Sequence, residues 1–284
     1  MPAGPPLTVV LPTRDGLREI EPAARGLESQ ARRIGAEVLV VGAVTEPPPA
    51  WMRAVYVEDD DIYKLRSVGL REARGEIVAV GEDHAVPRED WCEAVLRAHA
   101  EHPDSPAVAG CLVNATAATL SGRANFLAFA APFQPPVPAS PPLRPPPVSN
   151  VSLKRAALAD LGSAPGDLEA ILLPRLFEEG LIAADERILV DHYQDHGLIW
   201  AIANSFHSAR ASYGRLRGSM RPRERLVMAR WSLVHWPHRM MREARARTTD
   251  PRELGAVAMI AGGCTAGAVM GSLAGPGRSR ARVA

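Results

Sequence analysis

The side chains of this 284-residue chain that could do chemistry begin with Glu82-Asp83-His84, set between Gly81 and Pro87 directly after the apolar run Ile77–Val80. Three adjacent oxygen and imidazole donors can hold a divalent cation, and a cation at the end of a strand offsets the charge of a bound diphosphate. Side chains alternate along an extended segment, so Glu82 and His84 fall on one side. The triplet equally suits a polar loop capping the next helix, because acidic groups favour helix N-termini. A second group, Gly166-Asp167-Leu168-Glu169, opens a helical pattern running through Leu172, Leu173 and Leu176 to Gly180. Asp167 reads as an N-cap. Glu169, further in, suits either a first-turn charge or a general base. His192 and His196 flank Asp195 after Ile188–Val190, and His192 is a candidate further metal ligand. Asp59-Asp60-Asp61 reads as a solvated loop, since a run of like charges repels itself.

These groups need elements to hold them. Leu7–Leu11 is a short apolar run that gives way to Pro12-Thr13-Arg14-Asp15-Gly16, a strand entering a loop. Residues 17–34 carry Leu17, Ile20, Ala24, Leu27, Ala31 and Ile34 at helical spacing. Strands are then expected at Glu37–Val41, Ala54–Val57 and Ile77–Val80, with a helix over Lys64–Arg74 ended by Gly75. This alternation predicts an α/β sheet with its ligand site at the C-terminal ends of the strands. Further on, the pattern predicts helices over Glu89–His102, Lys154–Leu161 and Leu168–Glu179, and strands over Ala107–Val113 and Ile188–Val190. Gln134–Pro147 holds eight prolines in fourteen residues, which excludes regular structure and fits a binding-loop lid or a stiff linker.

Charge is balanced, 33 Lys+Arg against 32 Asp+Glu, which argues against a nucleic-acid footprint. Cys92, Cys111 and Cys264 are far apart and form no C-x-x-C, so neither a disulfide framework nor a structural zinc site is indicated, and a reducing compartment fits. Residues 1–6 lack a secretory pattern, so the globular part is expected to be cytoplasmic. From about 198 the sequence turns Arg-rich and amphipathic through Arg247, with Trp231 and Trp236 among its apolar residues, as suits an anionic membrane surface or a helix packed on the domain. Leu254–Gly275 is 22 residues without a charge, six of them Gly, and fits either a membrane span or close helix packing. The boundary divides the chain into residues 1–197 and a helical tail, 198–284.

Together the motifs of residues 7–196 resemble glycosyltransferase family 2, the inverting nucleotide-sugar enzymes of GT-A fold. Pro12-Thr13-Arg14-Asp15 resembles the family's donor-binding first loop. Leu65-Arg66-Ser67-Val68-Gly69-Leu70 followed by Ala73-Arg74-Gly75-Glu76 is similar to its next conserved stretch, and Ile77–His84 stands where its Asp-x-Asp metal motif closes a strand. Ser149-Asn150-Val151 through Arg155 looks like the acceptor-side segment. Leu168-Glu169, just ahead of Arg175-Leu176, sits where the Glu-Asp pair carries the catalytic base. The sequence departs from the pattern in Glu82-Asp83-His84, in Val41-Gly42 where a base-reading Asp normally stands, and in Leu168.

The resemblance implies an α/β fold, a GT-A type Rossmann-like sandwich with a mixed central sheet, plus a C-terminal helical membrane-associated tail. It implies sugar transfer from a nucleotide-diphosphate-sugar donor to an acceptor hydroxyl with inversion, Glu169 being the base. A divalent metal, Mg2+ or Mn2+, would be held by Glu82, Asp83, His84 and His192. The donor would lie against Pro12, Thr13, Arg14, Asp15, Arg66, Glu82 and Asp83, with Asn150 and the proline-rich loop toward a glycan or lipid-linked acceptor of the cell envelope. No nucleic-acid partner is expected. Localisation would be cytoplasmic, peripheral or C-terminally attached to the inner face of the membrane. The lost base-reading Asp and the altered metal triplet leave as the alternative a catalytically inactive GT-A domain that binds a nucleotide sugar or acts as a scaffold, while Glu169, the ordered motifs and Asn150 favour the enzyme. A nucleotidyltransferase fits less well, because no Gly-rich phosphate loop with a following Lys succeeds the first strand.

Overall fold

The computed structural model describes residues 4–137, 144–162, 164–194, 196–279 and 282. The chain divides into two compact units, residues 1–113 with 133–193, and residues 114–132 with 194–284.

The first unit is built on a mixed eight-stranded sheet. Its strands are β1 (Leu7–Thr13), β2 (Glu37–Gly42), β3 (Met52–Tyr56), β4 (Ile77–Val80), β5 (Ala85–Pro87), β6 (Ala107–Asn114), β7 (Val151–Lys154) and β8 (Ile182–His192), in the order β3-β2-β1-β4-β7-β6-β8-β5. The first four pair in parallel, β7 lies antiparallel to both β4 and β6, and β5 is antiparallel to β8. The parallel half follows from its sequence. β1 is buried at every position, and such strands carry near-continuous apolar runs because helices cover both faces.

Helices α1 (Glu21–Ile34), α2 (Ile62–Glu72) and α3 (Trp91–Glu101) cover the sheet. Gly35 closes α1 in the left-handed conformation, φ 67°. Asp61 caps α2 by accepting from the Tyr63 N–H at 3.0 Å, while Asp59 pairs with Lys64 at 2.5 Å. The acidic triplet therefore holds a helix end. Gly69 lets α2 press onto the sheet, since a Cβ there would lie 2.2 Å from Val10 Cγ1.

Three expectations change. The helix expected over Lys154–Leu161 is the end of β7 followed by a 3-10 segment, Arg155–Asp160. The one over Leu168–Glu179 opens as a π-helical turn, Leu168–Leu172, before α5 (Leu173–Glu178). β8 runs eleven residues, Ile182–His192, where three were expected, because its charged half is held by pairing rather than apolar burial. Asp185 and Glu101 both bind Arg187 there. Of the proline-rich segment, residues 138–143 lie outside the described residues. The flanks 134–137 and 144–147 contain neither helix nor strand, and the Val137 N–H donates to Glu186 at 2.6 Å.

The second unit is helical: α4 (Leu120–Ala130), α6 (Leu198–Leu216), α7 (Pro222–Arg245) and α8 (Pro251–Ala274). α8 is long and apolar enough to cross a membrane, yet half of its most apolar window is buried. Val257, Ile260, Ala261 and Ala268 of α8 join Ala128, Ala209 and Met240 in one core. Gly263, Gly267 and Gly271 bring α8 against the backbone of α6; Cβ atoms there would meet Ile202 O at 2.6 Å, Phe206 O at 2.1 Å and Arg210 O at 2.7 Å. The small residues of this segment thus serve close helix packing.

Candidate active site

The apolar run of β4 carries the chain through the sheet to Gly81, whose N–H donates to Val10 O at 2.9 Å. The chain then turns through Glu82-Asp83-His84 into β5. Pairing of β5 with β8 sets Ala85 opposite His192, and the Tyr193 N–H donates to His84 O at 2.8 Å. This register delivers His192, fully buried, to Glu82-Asp83-His84. The two imidazoles meet edge to face with ring centroids 4.7 Å apart. Glu82 Oε2 lies 3.5 Å from His84 Nε2 and 3.6 Å from His192 Nε2.

Glu82, His84 and His192 each offer one ligand atom, all within 4.8 Å of one another, so the group can hold a metal ion. Asp83 stands apart from these three. Its Oδ1 lies 2.7 Å from His84 Nδ1, which fixes the ring with Nε2 toward Glu82. A carboxylate behind a ligating histidine orients it and raises its basicity. Asp195 lies outside the described residues, and His196 stacks on Trp200 in the second unit, ring centroids 3.7 Å apart.

The second carboxylate arrives through packing. Leu168, Leu172, Leu173 and Leu176 enter the same core as Leu65 and Leu70 of α2, which sets the π-helical turn beside Arg66. Arg66 then spans the site, donating through Nη2 to Glu82 Oε1 at 2.6 Å and through Nη1 to Glu169 Oε1 at 3.1 Å. Glu169 Oε2 is buried and accepts no hydrogen bond among the described residues. Asp167 stands at the N-cap position as expected, but its side chain makes no capping hydrogen bond; its Oδ2 accepts the Ala164 N–H from the preceding loop at 3.0 Å.

The electrostatics follow from this crowding. Burial pushes Glu82 up, but the His192 bond and the charges of Arg66 and His84 outweigh it and hold the carboxyl at about 2. Burial pushes His84 down, and the Asp83 bond with the charges of Glu82 and Asp83 carries it above its ordinary value. Burial dominates at His192, which falls below its ordinary value, toward the neutral form that binds metal.

Pro12 and Thr13 are buried at the end of β1, and Asp15 is exposed. Glu19 holds this loop. Its Oε2 accepts from Thr13 Oγ1 at 2.6 Å, the Arg14 N–H at 2.7 Å and the Asp15 N–H at 3.1 Å. Sequence reasoning missed Glu19, although unpaired backbone donors at a strand end call for a nearby acceptor. Arg14 reaches across to Asp60 O at 2.9 Å. Gly42, where the base-reading Asp would stand, lies so close to β1 that a Cβ would be 1.7 Å from Thr13 O, at φ 151°.

Asn150 is 2% exposed and lies away from the metal-binding group in hydrogen bonding. It accepts from Trp91 Nε1 at 2.9 Å and donates to Cys111 O at 2.9 Å and Ile188 O at 3.0 Å, tying α3, β6 and β8 together.

No protein-family model matches the sequence, nor does any curated protein. Solved structures do. A mannosyltransferase from Pyrobaculum calidifontis, in complex with GDP-Man and Mn2+, matches with a TM-score of 0.57 at 18% identity, over 94% of this chain and 87% of that one. Glucosyl-3-phosphoglycerate synthase from Mycobacterium tuberculosis, with phosphoglyceric acid, gives 0.47 at 17% identity over 69% and 75% of the two chains. S. aureus TarS 1-349 gives 0.46 at 13% identity over 93% and 90%. Taken with the mixed sheet and the metal-binding group at its strand ends, the first of these matches shows that this chain has the GT-A fold.

Proposed function

We propose that this chain is a metal-dependent, inverting glycosyltransferase that moves a sugar from a nucleotide-diphosphate-sugar donor to an acceptor hydroxyl. The observation that carries the proposal is Arg66 joining Glu82 of the metal-binding group to Glu169 at 2.6 and 3.1 Å, because it sets a cation site and a carboxylate base on either side of one fixed charge. Glu82, His84 and His192 would hold the metal, and two imidazoles with one carboxylate suit Mn2+ better than Mg2+, which prefers an all-oxygen shell. When bound, the ion would supply Lewis-acid stabilisation of the diphosphate leaving group.

Glu169 would take the proton of the acceptor hydroxyl as that oxygen attacks the anomeric carbon. The bond from that carbon to the diphosphate breaks on the opposite face, so configuration inverts. Arg66 would face charge developing on the diphosphate. The loop Pro12, Thr13, Arg14 and Asp15, braced by Glu19, would lie along the nucleotide. Asp83 would position His84, and Asn150 would position β8 with His192.

The acceptor would be a glycan or a lipid-linked molecule met at the cytoplasmic face of a membrane. Supporting that site of action, α7 exposes Leu226, Val227, Trp231 and Val234, interleaved with exposed Arg223 and Arg230. A second reading, a GT-A domain that binds nucleotide sugar without turnover, is favoured by the altered triplet Glu82-Asp83-His84 and by Gly42, which offers no carboxylate at the end of β2.

The test is nucleoside diphosphate release from a panel of nucleotide sugars by the purified full chain with Mn2+. Turnover of one donor in the wild type, lost in Glu169→Gln with donor binding kept, supports the enzyme. Donor binding without turnover in both proteins moves the function to the second reading.

A further inference from the structure

The second unit contains an open cavity of about 260 Å3 lined by His207, Arg210, Arg278, Ser279 and Arg282. It is small beside the roughly 300–1,000 Å3 of pockets that enclose whole cofactors. Its size suits one compact group, and its lining states which charge. Three of the five residues are guanidiniums, which remain charged at any working pH. Among the described residues none of the three has a carboxylate partner, while Arg53, Arg66 and Arg187 elsewhere in the chain are all so paired.

The cavity is also constructed rather than incidental to a loose tail. After α8 the chain turns at Gly275 and folds back over α6. Pro276 passes so close to Gly214 that a Cβ there would meet its nitrogen at 2.3 Å. Arg210 Nε donates to Gly275 O at 3.2 Å, which anchors one guanidinium. Gly277, at φ 52°, adopts a conformation that L side chains avoid, and a Cβ there would lie 2.6 Å from Arg210 Nη2. Ser279 is 1% exposed, with its hydroxyl 3.0 Å from His207 Nδ1. Burial first, then the charges of Arg282 and Arg210, lower the pKa of His207.

We propose that this cavity binds a phosphate group, carried either by free phosphate or by the phosphomonoester headgroup of a lipid. Guanidinium forks match phosphate oxygens in pairs, and a phosphate placed here relieves the mutual repulsion of three cations while Ser279 adds a hydroxyl. The inference uses no residue of the proposed donor site and stands whether or not the chain transfers sugars.

The test uses the full chain. Calorimetric titration with inorganic phosphate reports the free source. Flotation with phosphatidylcholine vesicles containing phosphatidic acid reports the lipid source, with phosphatidylglycerol at matched surface charge as the comparison. Arg278 and Arg282 are exposed, so Arg278→Gln/Arg282→Gln is expected to keep the melting temperature and to weaken binding by roughly ten-fold or more through loss of charge-assisted hydrogen bonds. Binding in the first arm alone assigns free phosphate, and binding in the second alone assigns the headgroup. No binding in either arm overturns the proposal. So does binding that the double variant leaves unchanged, or equal, equally reduced capture by phosphatidylglycerol.

Discussion

Arg66 and Glu169, 103 residues apart in sequence, meet at 3.1 Å while the same guanidinium holds Glu82 at 2.6 Å. Arg66 is 9% exposed and joins two half-buried carboxylates. Arg66→Ala removes the ion-pair partner of Glu169 and leaves Glu82 with only His84 and His192, and is expected to destabilise the chain by about 1–3 kcal/mol. Arg66→Lys keeps the charge but cannot span both carboxylates in the same way, and is expected to fall between. Denaturant unfolding of the three proteins measures this; an alanine variant as stable as the wild type would show that the bridge contributes nothing.

Asp83 is expected to matter through His84 rather than as a ligand. Asp83→Asn removes the charge behind His84 Nδ1 and should weaken Mn2+ binding about 10- to 100-fold while leaving the fold intact. Calorimetry with Mn2+ checks it. Complete loss of binding would make Asp83 a direct ligand.

His99 sets a pH dependence of stability. Burial, with Lys154 and His102 nearby, holds it down to about 4, and its Nε2 lies 2.9 Å from Ser152 Oγ. The unfolded chain binds this proton near pH 6.5, before the folded chain does. Stability is therefore full above about pH 6.5, falls as pH drops toward 4, and levels below that, by up to about 3 kcal/mol in total. His99→Gln should flatten this part of the profile, read as unfolding midpoints between pH 4 and 7.

The exposed apolar residues of α7 should hold the chain to anionic vesicles. Val227 is 62% and Val234 72% exposed, so Val227→Ser/Val234→Ser is expected to change stability by less than about 1 kcal/mol in total. Cosedimentation with vesicles should fall. Unchanged cosedimentation would move membrane contact away from this face.

Much of this was legible in the sequence, where local pattern and burial agree. β1, β2 and β4 read as apolar runs, α1 as a helical stripe ended by Gly35, and Glu82, His84 and His192 as candidate ligands. What joins those ligands was hidden. β5 is three residues long, below the length at which alternation can be seen, and the charged stretch Asp185-Glu186-Arg187 masked the first half of β8. The bridge through Arg66 depends on a π-helical turn packing beside α2, a contact between distant segments that no spacing records. Asn150 reads in sequence as part of an acceptor-side motif and is buried in the structure, where its side chain bonds Trp91, Cys111 and Ile188.

The most direct measurement of the central claim is thermal shift of the full chain with a panel of nucleoside diphosphates, with and without Mn2+, in the wild type and in Glu82→Ala and His84→Ala. The expected result is stabilisation by one nucleotide that requires Mn2+ and disappears in both variants, as linked binding to the folded state demands. Stabilisation by none of the panel, or Mn2+-dependent stabilisation that both variants retain, would contradict a donor site built on Glu82, His84 and His192.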